Sequence, residues 1–202
     1  LPLAAAQWLY GSVKEAKILS LPHALNPQLY TPGNFHHRDI DIGFRGALYS
    51  RFIGDEERNQ FIKYIEQMAP QKGMIVDFSY KTIHRKDWAE FLRCCKGIVG
   101  GESGTYFLDH EGLILFHSKR YLQNHPNATM EELKEACFEN VPEYISGKCI
   151  SSRHFEPIGT KTCQILLEGE YNGILKADEH YISVKKDYSN IEDVMNRFID
   201  ED

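Results

Sequence analysis

Apolar residues in this chain gather into short runs separated by stretches of helical spacing. Ile40-Asp-Ile-Gly-Phe-Arg-Gly-Ala-Leu-Tyr49 alternates and then meets glycines, which predicts a strand running into a loop. Asp55 stands where an N-cap would, and Phe61, Ile62 and Ile65 repeat at helical spacing up to about Met68. Gly73-Met-Ile-Val-Asp-Phe78 reads as a second strand, Trp88 to Cys95 as a second helix and Gly97-Ile-Val-Gly-Gly101 as a third strand. This rhythm implies a parallel sheet with right-handed crossovers, a Rossmann-like three-layer α/β domain.

Further along, residues 106–149 read as a helical insertion between sheet elements. His117 to Asn124 is expected to be helical, and Thr129 with Glu132 forms a capping box for a helix reaching about Glu139, before Pro142. After Gly159, the short apolar run Thr162-Cys-Gln-Ile-Leu-Leu167 fits either a helical extension or a buried strand. Tyr181 to Val184 reads as a strand. Ser189 then opens an amphipathic helix with Val194, Met195 and Phe198 inward. Residues 1–36 read as a connector, because Pro22, Pro27 and Pro32 keep that stretch extended or turning. Residues 37–202 carry the domain pattern.

Composition narrows the function classes. At 202 residues with a formal net charge of −6, the chain can bury one core and lacks the basic cluster of a nucleic-acid binder. It has no apolar run that would span a bilayer and no pattern of a signal peptide. Leu1 in place of Met suggests a chain that begins inside a longer protein. Cys94, Cys95, Cys137, Cys149 and Cys163 follow no metal spacing, so reduced thiols in a cytoplasmic setting are expected. Asp109, His110 and Glu111 are adjacent rather than on one helical face, and Asp39-Ile-Asp41 lies in the first strand. Neither predicts a metal site.

The densest chemistry lies between Ile150 and Gly169. Ser151 and Ser152 before a short helix suggest an N-cap, where unbonded amides and the positive helix end can hold an anion. Arg153 adds a forked donor suited to phosphate oxygens. Glu156, one turn on, could accept two hydrogen bonds from a ribose diol. Pro157 removes a helical hydrogen bond, so the helix is expected to start late or kink. Gly100-Gly-Glu-Ser-Gly-Thr105 follows the third strand and should open on the same cleft, with Glu102 as acceptor and Ser103 as donor. Thr160 and Thr162 could reach a ligand or close a turn. His180 and Tyr181 read as core and strand-end residues.

Several of these stretches together resemble a known family. Arg153-His-Phe-Glu-Pro-Ile-Gly-Thr160, Gln164 to Leu175, His180-Tyr-Ile and Asp187-Tyr-Ser-Asn190 look like the group 1 glycosyltransferases. The likeness is to the bacterial branch related to spore-maturation and surface-polysaccharide proteins. It implies the C-terminal, donor-binding half of a GT-B fold, with the Pro-rich segment as the interdomain linker and Thr162 to Leu167 as a strand. By the same resemblance, the helix start faces the donor diphosphate and Glu156 binds the ribose. Arg45 and Arg51 would meet the diphosphate, and Glu102 and Ser103 would contact substrate.

The implied substrate is a nucleotide-diphosphate sugar, with no separate cofactor and no metal. A glycan or other acceptor and an N-terminal GT-B domain are the implied partners. In the wider superfamily a second glutamate often stands eight positions away, but Lys148 and Gln164 occupy those places here. Donor sugar and stereochemical outcome therefore do not carry over. No catalytic base is visible, and the isolated chain is expected to bind donor weakly without turnover. The rival expectation is a non-catalytic Rossmann-like binding or interaction module. A nicotinamide dehydrogenase is disfavoured, since no Gly-x-Gly-x-x-Gly turn follows the first strand.

Overall fold

The computed structural model describes residues 1–34, 38–51, 56–138 and 145–200. In chain order its elements are α1 (Leu3–Tyr10), β1 (Ile40–Arg45), α2 (Glu57–Met68), β2 (Val76–Ser79), α3 (Arg85–Cys94), β3 (Cys95–Gly100) and α4 (Leu113–Asn124). There follow α5 (Met130–Cys137), α6 (Ser152–Thr160), β4 (Cys163–Leu167), β5 (Ile182–Val184) and α7 (Ile191–Asp200). The chain divides into two compact units. The first comprises Leu1–Leu21, Tyr49–Glu56 and Ser103–Cys149, and the second Pro22–Leu48, Glu57–Glu102 and Ile150–Asp202.

The second unit is built on a five-stranded sheet in the order β2-β1-β3-β4-β5, with every pairing parallel. Parallel strands carry helices on both faces, and their residues are accordingly apolar on both sides. On one face Ile42, Phe44, Val99, Ile165, Leu167, Ile182 and Val184 pack against Phe61, Ile62 and Ile65 of α2 and Val194, Met195 and Phe198 of α7. On the other, Cys95 and Ile98 meet Trp88, Phe91 and Leu92 of α3, joined by Tyr30. Leu166 points the same way as Ile98 and shares a cluster with Ile150, Tyr171, Leu175 and Tyr181. The result is the expected three-layer Rossmann-like architecture.

Local chemistry accounts for the differences from the sequence reading. β2 starts three residues later than the run at Gly73, because Pro70 opens a 3-10 turn that ends at Gly73 in the left-handed region (φ +80°). α3 starts earlier than Trp88, with the His84 side chain accepting the Lys86 amide at its first turn. The run after Gly159 is strand rather than helix, because Lys161 adopts φ +55° and stops α6 before Thr162. α6 neither starts late nor breaks, but runs from Ser152 through Pro157 to Thr160. Pro157 leaves only the Arg153 carbonyl without its usual donor, near the end of a nine-residue helix. His180 is exposed rather than in the core, with its Nδ1 accepting the Lys176 amide at 3.1 Å, while Tyr181 is buried. Asp55, Glu139 and Pro142 lie outside the described residues.

The first unit contains α1, α4 and α5. Phe107, Ile114, Leu133 and Phe138 form its core, and Thr129 and Glu132 make the expected reciprocal cap of α5. A backbone bridge between Ser103 and Cys149 joins the two ends of its longest segment. Among the described residues no helix is long and apolar enough to cross a membrane.

Two glycines let helices settle against the sheet. A Cβ on Gly43 would lie 2.6 Å from the Phe91 ring and 2.5 Å from Cys95 Sγ, and one on Gly97 would lie 2.7 Å from the Phe198 ring. The Gly43→Ala variant should therefore lose about 1–3 kcal/mol. This is measured as a lower urea midpoint at unchanged slope.

Candidate functional site

With strand order 2-1-3-4-5, the chain leaves β1 and β3 in opposite directions. Their carboxyl ends flank the crevice where doubly wound sheets take ligands. The start of α6 is tied to both ends. His154 Nε2 lies 3.1 Å from the Gly101 carbonyl, just beyond β3, and Arg153 Nη1 lies 3.5 Å from the carbonyl of Arg45, the last residue of β1.

That helix start is an incomplete cap. Ser151 has extended dihedrals, and its amide is accepted by His154 Nδ1 at 3.0 Å. The next two amides, of Ser152 and Arg153, have no acceptor among the described residues, and neither has the Ser152 hydroxyl. The Arg153 guanidinium lies over the Trp88 ring, 4.1 Å from its centroid. Apart from the Arg45 carbonyl, its donors have no hydrogen-bond partner among the described residues. Burial lowers the Arg153 pKa, while Glu156 and Tyr30 oppose that shift, and an arginine remains cationic regardless. Two amides, a hydroxyl and a fork of N–H groups thus belong to the first two residues of a helix, whose dipole favours negative charge at that end.

Glu156 sits one turn below. Its Oε2 accepts the Trp88 indole N–H at 2.7 Å, so one oxygen is occupied by the protein. The Tyr30 hydroxyl shares this corner. Burial, and then the nearby carboxylate, push its pKa up to about 12. Tyr30 and Trp88 escaped the sequence reading, since nothing in local spacing pairs the Pro-rich segment or α3 with Glu156. His154 was also missed. It is 3% exposed, and burial pushes its pKa down. Because Nδ1 faces an amide and Nε2 a carbonyl, the ring is the neutral tautomer with its proton on Nε2.

The other expected ligand contacts are placed differently. Arg45 bonds the Asp77 carboxylate at 2.5 Å and the Asp77 carbonyl at 2.9 Å, with its guanidinium 3.8 Å from the Phe91 ring centre. It buttresses β1 against β2. Glu102 accepts the Tyr171 amide at 2.8 Å and so binds the turn after β4 to the turn after β3. Thr160 and Thr162 lie at the far end of α6, before β4. Their hydroxyls are 2.8 Å apart, and Thr162 donates to the Leu92 carbonyl at 2.8 Å. Arg38 completes that buried network through the Cys95 carbonyl at 2.6 Å and the Thr160 carbonyl at 2.8 Å. Ser103 and Arg51 belong to the first unit. Arg51 pairs with Glu56 at 2.9 Å and donates to the Ala128 carbonyl. The structure therefore groups Ser152, Arg153 and Glu156, with Arg45 behind them, and sets Thr160 and Thr162 apart. Among the described residues no cluster of His, Cys, Asp or Glu could hold a metal.

The fold and this crevice define a Rossmann-like α/β domain with an anion-compatible helix start. No protein-family model matches the chain, no curated protein matches it, and no solved structure matches it.

Two outcomes follow from the geometry. Thr162→Val keeps the shape but strips a donor from the buried Leu92 carbonyl and a partner from Thr160. It should cost about 1–3 kcal/mol in denaturant titration. The folded state holds His154 neutral, with a pKa below the ordinary 6.5, so its contribution is intact above that value. As pH falls below 6.5 the unfolded chain takes up a proton first, and that stability is lost. Urea midpoints should fall with acid more steeply in the wild type than in His154→Gln.

Proposed function

We propose that this chain is the donor-binding domain of a GT-B glycosyltransferase that binds a nucleotide-diphosphate sugar. One observation carries the reading. The Ser152 and Arg153 amides, which have no acceptor among the described residues, and the Arg153 guanidinium, whose one hydrogen bond among them goes to the Arg45 carbonyl, lie at the start of α6, beside the carboxyl ends of β1 and β3. A diphosphate placed there would meet two amides, a hydroxyl and a guanidinium. Offsetting leaving-group charge is the main electrostatic task in metal-independent glycosyl transfer. Glu156, with Oε2 on Trp88, retains acceptor capacity for ribose hydroxyls one helical turn from the phosphates. The motifs from Arg153 to Asn190 that resemble group 1 glycosyltransferases supply the rest of the support. An N-terminal domain would bring the acceptor and a catalytic base.

The rival, a binding module without catalysis, draws on Arg45. Its engagement with Asp77 removes one of the cations expected at the diphosphate.

Calorimetric titration with UDP, GDP and dTDP tests the proposal. One nucleotide should bind selectively. Arg153→Ala should weaken it about tenfold or more, the loss of roughly one charge-assisted hydrogen bond. Glu156→Ala should weaken a ribonucleotide by a similar factor. Binding of none of the three, or binding indifferent to Arg153, would sink the reading.

A further inference from the structure

The neutral ring of His154 does more than fill space beneath the helix start. Its Nδ1 holds the Ser151 amide at 3.0 Å and its Nε2–H reaches the Gly101 carbonyl at 3.1 Å, so one side chain fixes the first turn of α6 to the end of β3. The amides of Ser152 and Arg153 are the next two along that turn, and the backbone at Ser151 sets their direction. We propose that His154 is the positioning residue of the anion-binding turn, and that protonating it dismantles the site. The inference rests on the reading of that turn as a phosphate cradle.

The ring can serve this role only in one protonation state. An amide needs an acceptor, so a proton on Nδ1 would set two donors against each other 3.0 Å apart. Its nearest alternatives are the Ser151 hydroxyl oxygen at 3.2 Å and the Ser151 carbonyl at 3.4 Å, and that carbonyl already accepts the His154 amide at 3.1 Å. The ring would have to leave the Ser151 amide, releasing the turn. Arg58 of α2 disfavours a second positive charge there, whereas Glu156 on the same helix favours it. Tyr171 packs edge-on with its ring centre 5.2 Å away and offers no compensating charge. Desolvation of the ring is the largest influence and keeps it neutral.

The sign of the effect separates positioning from simple electrostatics. An imidazolium beside an anion should tighten binding in acid, whereas a positioning role predicts weaker binding. Sulfate is a suitable probe because its charge is constant across the range from about pH 5 to about pH 8 in which histidines titrate. The experiment follows the Ser152 and Arg153 amide resonances of the full chain during sulfate titration, in the wild type, His154→Gln and His154→Leu. Glutamine is the side chain that capping boxes use at this position, and it does not titrate.

Near pH 8 the wild type and the Gln variant should bind alike, with the Leu variant about tenfold weaker. Toward pH 5 the wild type should fall toward the Leu level while the Gln variant stays flat, with circular dichroism showing all three folded. Tighter wild-type binding in acid, an unchanged wild-type affinity, or a Gln variant with the wild-type profile overturns the proposal. If the Leu variant does not fold, the wild type and Gln comparison decides alone. No perturbation of these amides at either pH, in either the wild type or the Gln variant, removes the phosphate reading and the proposal with it.

Discussion

A parallel sheet cannot be closed by hairpins, so each strand must return through a crossover that covers one face. In the order β2-β1-β3-β4-β5 the crossovers place α2 on one side and α3 and α6 on the other, and the C-terminal α7 packs on the same side as α2. Both faces are then covered, and the inner strands are mainly apolar, with Asp41, Arg45, Lys96 and Gln164 as their polar side chains. It also leaves one place, between the carboxyl ends of β1 and β3, where successive connections diverge and no helix covers the edge. The start of α6 lies at that place, and the candidate chemistry depends on it.

Close approach sustains this arrangement. Gly43 and Gly97 let the Phe91 and Phe198 rings rest against the strands, and wider residues there would push α3 and α7 away. Because α3 sits low, Trp88 can both give its indole N–H to Glu156 and offer its face to Arg153. The cation and the carboxylate are thus held by one aromatic ring rather than by each other. A guanidinium stacked in this way keeps its in-plane N–H groups available for an anion. At the opposite end of α6, Thr160, Thr162 and Arg38 spend their hydrogen bonds on buried carbonyls. One short helix therefore ends in a buried hydrogen-bond network and begins with two amides that have no acceptor among the described residues.

Period and punctuation made most of the fold legible. The alternating run at Ile40, the helical spacing of Phe61, Ile62 and Ile65, and the inward face of α7 each rest on local geometry, and each appears in the structure. The Thr129–Glu132 cap was equally readable, since both partners lie within one turn. Element ends were less readable. Pro70 and Gly73 delayed β2, and a left-handed Lys161 rather than a glycine ended α6. The grouping of Ser152, Arg153 and Glu156 was recognisable because one short helix carries all three.

What the sequence by itself determined is the alternation of strand and helix, and the helix start at Ser151, because both depend on neighbours within a few residues. Only the tertiary structure decided which polar groups remain available. It committed Arg45 to Asp77, took Thr162 into the contact with Leu92, and brought Tyr30 and Trp88 to Glu156 across 126 and 68 positions of chain. It also set His154 between Ser151 and Gly101, where burial fixes its protonation. The physical reason is that a side chain's hydrogen-bond capacity is finite. Which partner uses it depends on what the folded sheet brings within about 3 Å.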